Sequence, residues 1–253
     1  MGYFVNPNSI VRKIWGKSDT ILFIFAASAA EFALNKAVDW LYFTGRLPAD
    51  PIGRLFSTVA YARTIVFSKQ EDALRAIDAM SAIHAQVEAK RQAQIPDWAY
   101  RDVLSMLIDY SIRSFELLER KLTSAEKQEI FTVFSLVGHR MKLAGLPNSF
   151  VEWELMRNAQ LQTNLLYSTF TEDLFSQYKK HLGWLRFTIL LEAQALMAPP
   201  AVAQNLTLRK TFGIHVVIAL YKLTRLVRAD RIIKVRLLPS RYRKQILALD
   251  NPT

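Results

Sequence analysis

The chain has 253 residues, 51% of them hydrophobic and 22% charged. It is long enough to bury a sizeable core, which excludes a disordered polymer. It has no cysteine, which excludes disulfides, thiolate catalysis and cysteine-ligated metals and fits the cytosol. The net charge of +11 is uneven: residues 201–253 hold 11 Lys and Arg against Asp230 and Asp250, a net +9, while the first 200 residues hold 22 against 20 acidic residues.

In chain order, residues 1–17 read as an irregular lead-in. Arg12, Lys13 and Lys17 precede the uncharged run 21–30, and Ala27-Ser28-Ala29 has the form of a cleavage site. Asp19 interrupts that signal-peptide pattern, however, and the segment runs on as an amphipathic helix through Glu31, Lys36 and Asp39. The ten residues of the run are about half the length of a transmembrane helix. Ser18 or Asp19 caps this helix, which is expected to reach about Phe43. Gly45, Pro48 and Pro51 then break the chain.

The stretch 50–88 reads as two helices with a tight connection. The first ends near Phe67. On it, Arg54 and Thr58 are four residues apart and share one face with Tyr61, Ala62 and Ile65. Ser68-Lys69-Gln70-Glu71 has the spacing of a capping box. It opens a second helix on which Leu74, Ile77, Met80 and Val87 mark the buried stripe. His84 falls within that stripe. An imidazole so placed reads, on the residues alone, as a hydrogen-bonded core side chain.

Ile95-Pro96-Asp97 starts the next helix, to about Arg120. Thr123-Ser124-Ala125-Glu126 is a second capping box, and its helix ends by Gly145-Leu146-Pro147. Helices are expected from Ser149 to about Leu166, from Thr171 to about Leu196 before Pro199-Pro200, and from about Phe212 to Val235. No strand and no repeat is evident. The fold class is all-α, one multi-helix domain over residues 1–253 with a basic C-terminal segment.

No pair of His has an H-x-x-x-H spacing, no E-x-x-H is present, and there is no phosphate-binding Gly loop or nucleophile elbow. In the C-terminal segment Lys222, Arg225, Arg228 and Lys234 alternate with Leu, Ile and Val, a pattern suited to peripheral contact with an anionic membrane. No nucleic-acid recognition motif accompanies the charge.

Asp50-Pro51-x-x-Arg54-Leu55-x-x-Thr58, then Ile83-His84-x-x-Val87, resembles a family of haem-dependent oxygenases that includes the latex-clearing proteins and an oxygenase of mycophenolic acid synthesis. Tyr100-x-x-Val103-Leu104, Glu119-x-x-Leu122-Thr123, Leu146-Pro147, Leu196-x-x-Pro199 and Leu238-Pro239-Ser240-Arg241-Tyr242-Arg243 extend the resemblance over roughly residues 15–245. It implies a helical fold with a globin-like core, haem b as cofactor and His84 as the proximal iron ligand. Arg54 and Thr58 would line the oxygen side of the pocket, and dioxygen and an apolar, isoprenoid-like small molecule would be the substrates. Latex-clearing proteins carry a Lys directly before that Thr, where this chain has Ser57. They also use a pocket carboxylate as base, for which Glu31 and Asp39 are loose candidates. Tyr61, Met80, Leu104 and Leu107 are candidate lining residues, with ordinary core packing as the plainer reading of each. The alternatives to an oxygenase are a haem protein without turnover and a haem-free helical scaffold at a membrane. Arg54 likewise has a structural alternative, an ion pair with Asp50 or Glu88, and Thr58 has one in a bond to its own helix.

Overall fold

The structure is a computed structural model that describes residues 2–209 together with 218, 219, 221, 222, 224, 242, 248 and 249, with the side chains of Arg46 and Pro48 excepted. The helix expected over 212–235 lies outside the described residues apart from these positions. The described residues form eleven helices and no strand, so the fold is all-α. Two isolated bridges, Tyr3 with Lys69 and Asn35 with Leu165, are the extended pairings among them.

The lead-in is more ordered than its sequence implies. Helix α1 spans Ile10–Trp15, capped by the Ser9 hydroxyl, and buries Ile10, Val11, Ile14 and Trp15. Six residues are too few for a periodic signal, although the Ser9 cap and Gly16 mark both ends. Helix α2, Ser18–Leu34, is the central element, packed against α7 (Asp97–Leu118) and α10 (Thr169–Met197). It is buried nearly all round, including Ser18, Asp19, Thr20 and Glu31, so it is not the amphipathic helix the sequence pattern predicts. Neither proposed cap holds: Lys17 stands at the cap position without a side-chain bond, and the Asp19 carboxylate accepts from the next amide, of Thr20, at 2.8 Å.

This helix also stops short of Phe43. Asn35 leaves the helical conformation, donates its side-chain amide to Asp102 at 2.8 Å, and turns the chain into the short helices α3, Asp39–Phe43, and α4, Arg46–Ala49. A polar side chain with a buried partner thus overrides a run of good helix formers.

Helix α5, Pro51–Phe67, begins where expected, with Pro51 in the first turn and the Asp50 carboxylate accepting from Gly53 N at 2.9 Å. Tyr242 from the far end of the chain donates to the same carboxylate. Helix α6 is Gln70–Arg91, with Lys69 at its cap and no capping side-chain bond, so the first proposed capping box is absent. The second is present, with Thr123 and Glu126 bonding each other's backbone at the start of α8, Ser124–Arg140. That helix ends at Met141 and Lys142, ahead of the Gly145 signal. Helix α9 is Phe150–Thr163 and α11 is Pro200–Asn205. Helix α10 is broken at Gly183, whose φ of 73° and ψ of 167° are not helical.

Polar side chains hold the core in register. The indoles of Trp15 and Trp153 donate to Ser111 and Ser105 of α7, each at 3.2 Å, which satisfies groups that burial would otherwise penalise. Glu31 of α2, fully buried, takes both ends of the Arg157 guanidinium at 2.5 and 2.6 Å and the Tyr110 hydroxyl at 2.8 Å. Arg157 also donates to Asp109 at 3.0 and 3.1 Å, and Asp109 accepts from Arg113 at 2.6 Å. Burial opposes the charge on Arg157, but Glu31 and Asp109 more than offset it and raise its pKa. Helices α2, α7 and α9 are therefore tied together by one ionic cluster.

Candidate active site

Helices α5 and α6 pack side by side, close enough for the Arg54 charge to act on His84, but neither Arg54 nor Thr58 lines the cleft that His84 lines. Arg54 and Thr58 do share a face. The guanidinium Nη1 donates to Thr58 Oγ1 at 2.9 Å and to Ser57 Oγ at 3.0 Å. Thr58 in turn donates to the Arg54 carbonyl at 3.3 Å, so the bond to its own helix and the bond to Arg54 coexist. Ser57 explains part of this arrangement. A lysine there would set a second cation beside the guanidinium, whereas the serine hydroxyl accepts from it.

His84 stands on the wall of a cleft of about 260 Å³. Ser81, Ala85 and Glu88 of the same helix face also line it, together with Ile95 in the connection before α7, Asp97 and Tyr100 at the start of α7, and Lys142 after α8. The imidazole packs edge-on to Tyr100, ring centroids 5.2 Å apart at 74°. Tyr100 donates its hydroxyl to Glu88 at 3.2 Å, and the same carboxylate oxygen accepts from Ile95 N at 2.9 Å. Burial, with the nearby carboxylate, pushes the Tyr100 phenol pKa up. Burial first and the Arg54 charge second lower the pKa of His84, while Glu88 acts in the opposite sense. Burial thus favours the neutral imidazole.

His84 Nδ1 is buried and has no hydrogen-bond partner, which denies it the hydrogen bond of a satisfied core histidine. Leaving such an atom unsatisfied costs about 1–3 kcal/mol. A neutral imidazole with an unengaged ring nitrogen is a metal donor. Among the described residues no three His, Cys, Asp or Glu converge as a metal site. A single imidazole fits a macrocyclic cofactor that brings its own equatorial donors and asks the protein for one axial ligand. His84 thus has the donor chemistry that haem asks of a protein.

The pocket carboxylate is a different matter. Glu31 is committed to Arg157 and Tyr110 inside the core, and Asp39 pairs with Arg91 at 2.6 Å. Neither lines the cleft. Glu88 and Asp97 do, and the sequence reading missed them as cleft residues. The spacing of Glu88, one turn beyond His84 on the same face, was the available signal. Of the proposed lining residues, Leu104 is buried in the main core, Met80 and Leu107 pack against that core, and Tyr61 is half-buried on α5. None of the four lines the cleft, whose wall is more polar than their chemistry implied.

The family model described as ER-bound oxygenase mpaB/B'/rubber oxygenase, catalytic domain, matches residues 13–245. No curated protein and no solved structure matches the chain.

Proposed function

From the premise that this chain belongs to the mpaB/B'/rubber oxygenase catalytic-domain family and is thus an oxidoreductase of the oxygenase type, we propose that it is a haem b-dependent oxygenase acting with dioxygen on an apolar, isoprenoid-like substrate. The observation that carries the haem assignment is the buried, unpartnered Nδ1 of His84, a residue whose side chain also borders the cleft. Haem b, bound through His84, supplies the redox chemistry with dioxygen.

The chain's own residues do the rest. His84 is kept neutral, hence able to ligate, by burial and by the Arg54 charge. Tyr100 limits the rotation of the imidazole by packing against it in a T-shaped contact, and Glu88 holds Tyr100 by the hydroxyl. Arg54 presents its guanidinium as a donor toward charge that develops on oxygen, and Thr58, which accepts from the guanidinium and gives its own proton to the Arg54 carbonyl, holds it in place. Residues 13–245 act as a single catalytic domain. The basic segment 201–253 adds a salt-sensitive contact with anionic membranes, where an apolar substrate partitions.

The visible spectrum tests the cofactor. Protein expressed with haem supplied shows a Soret band, and His84→Ala loses most of it, because a buried iron without its axial donor is poorly held. Full haem occupancy with an unchanged Soret maximum in the variant overturns the assignment.

A further inference from the structure

Three groups of large apolar side chains stand out from the surface of the described body. On α9, Val151 and Leu155 are 66% and 68% exposed, four residues apart. They sit among Glu152 and Glu154, both exposed. Leu166 and Tyr167, in the connection before α10, are half exposed, with Glu172 five residues on in the sequence and the exposed Lys36 bonded to the Thr163 carbonyl beside them. The third group follows the break in α10. There Trp184 is 72% exposed, Leu185 59% and Ile189 40%. Its N-terminal flank is basic, with Lys179 and Lys180 exposed just before it and Arg186 within it, while the half-buried Glu192 follows one turn after Ile189.

We propose that this α10 face, Trp184, Leu185 and Ile189 with Lys179 and Lys180, docks onto the surface of an anionic lipid bilayer. It deepens the membrane-contact reading given above, on which it rests, by naming a surface of the folded body in addition to the basic segment.

The chemistry of the face selects the occupant. Trp and Tyr side chains favour the headgroup level of a bilayer, with an apolar body and a polar N–H or O–H. Leu and Ile add apolar area that enters the acyl boundary, and lysines at its edge meet anionic headgroups. The α9 group, set among glutamates, carries the wrong sign for that surface, and the Leu166 and Tyr167 group has the exposed Lys36 on one side and Glu172 on the other, with no net sign. No described helix is long and apolar enough to cross a membrane, so contact made here lies in the interface.

The backbone serves the same end. Gly183 adopts a conformation open essentially to glycine alone, yet a Cβ there would meet nothing within 4 Å. The glycine is required by the bend and not by crowding. The bend starts a new helical direction at Trp184. Leu185 and Ile189 are then four residues apart on one face, while Phe187 and Leu190 turn inward. Those inward residues join the apolar cluster that includes Ile52, two residues before Arg54 on α5. That cluster packs the inner side of this face against the end of α5 that bears Arg54.

The test uses the full chain, with sucrose-loaded vesicles of neutral lipid or of neutral lipid plus phosphatidylserine, and brominated acyl chains as quenchers. Of the five tryptophans, Trp15 and Trp153 are buried and Trp40 and Trp98 half-buried, and only the difference between wild type and Trp184→Phe isolates Trp184 fluorescence. The expected result is binding to anionic vesicles, quenching that disappears in Trp184→Phe, and a loss of roughly tenfold or more in partitioning for Trp184→Ser/Leu185→Ser. Lys179→Glu/Lys180→Glu weakens binding to anionic vesicles only. Circular dichroism and melting confirm that each variant is folded. Undiminished binding by folded Trp184→Ser/Leu185→Ser without Trp184 quenching overturns this face and leaves the basic segment as the anchor. No vesicle binding by wild type overturns both. A vesicle-free dimer that Trp184→Ser/Leu185→Ser abolishes overturns the lipid assignment in favour of a second copy of the chain.

Discussion

The ring of Tyr100 stands edge-on to the imidazole of His84, centroids 5.2 Å apart, and its hydroxyl is held by Glu88, one helical turn beyond His84. Two residues of α6 and one of α7 thus form a closed unit. The packing contact and the hydrogen bond are separable by substitution. Tyr100→Phe keeps the ring against His84 and loses the bond to Glu88, which still accepts from Ile95 N. It should cost about 1 kcal/mol and leave the haem spectrum close to wild type. Tyr100→Ala frees the imidazole as well, so its Soret maximum should shift and its haem occupancy fall. Identical spectra in Tyr100→Ala and wild type would show that Tyr100 does not position His84.

The ionic cluster makes a second prediction, on stability alone. Arg157→Met leaves Glu31 and Asp109 buried without their main partner, and breaking a buried pair in this way costs about 3–5 kcal/mol. Arg157→Lys should recover only part of that, because an ammonium cannot meet Glu31 with two parallel bonds while also bridging to Asp109. Urea unfolding of the three proteins measures both differences. A loss under about 1 kcal/mol for Arg157→Met would mean the cluster does not hold α2, α7 and α9 together.

The sequence showed helices wherever apolar spacing ran uninterrupted, and the bounds of α5, α6 and α7 follow it closely. It misled where one side chain had a distant buried partner. The bond from Asn35 to Asp102 ends α2, and the Arg157 cluster makes Glu31 a core residue. Neither partner is local, so periodicity carries no trace of it. At the candidate site, the shared face of Arg54 and Thr58 was legible because four residues make one turn. The Tyr100 and Glu88 contacts around His84 were not, since they depend on how the 92–96 connection returns α7 across the end of α6. The bend at Gly183 was missed for a similar reason: a lone glycine in a helical pattern has no fixed meaning until its dihedral angles are known.

Acidification should release haem in a window set by His84. The folded-state pKa of this imidazole lies below 6.5, and only the neutral form ligates. Between 6.5 and that lowered value the unfolded chain binds a proton that the folded chain does not. The His84 contribution to stability is therefore complete above 6.5 and is lost as the pH falls through the folded value. Arg54→Leu removes one cause of the lowering and should move release to higher pH. Glu88→Gln removes the opposing influence and should move it to lower pH. Soret absorbance followed against pH tests both signs, and shifts in the same direction for the two variants would contradict the electrostatic account.

Arg54 and Thr58 should behave as one unit in turnover. The guanidinium Nη1 reaches Thr58 Oγ1 and Ser57 Oγ, and Thr58 returns a bond to the Arg54 carbonyl, so each side chain fixes the position of the other. Removing one preorganised donor costs about 3–4 kcal/mol in the barrier, or roughly a hundredfold or more in rate. Arg54→Leu should reach that range with haem content nearly intact, because the axial donor is on the other helix. Thr58→Val removes the hydroxyl and also releases the guanidinium, so its cost should approach the same size. The double variant should then be little worse than either single one, since residues acting together are strongly non-additive. Ser57→Lys supplies a complementary perturbation, replacing an acceptor beside Arg54 with a like charge that drives the guanidinium away from Thr58. It should lower turnover while leaving His84 ligation unchanged. Oxygen uptake, haem occupancy and melting temperature measured on the same samples decide among the readings. Additive losses in the double variant would show that the two residues act separately. A steep fall in melting temperature with loss of haem in Arg54→Leu would make Arg54 a structural residue, and full oxygen uptake in both single variants would place the oxygen-side donors elsewhere in the chain.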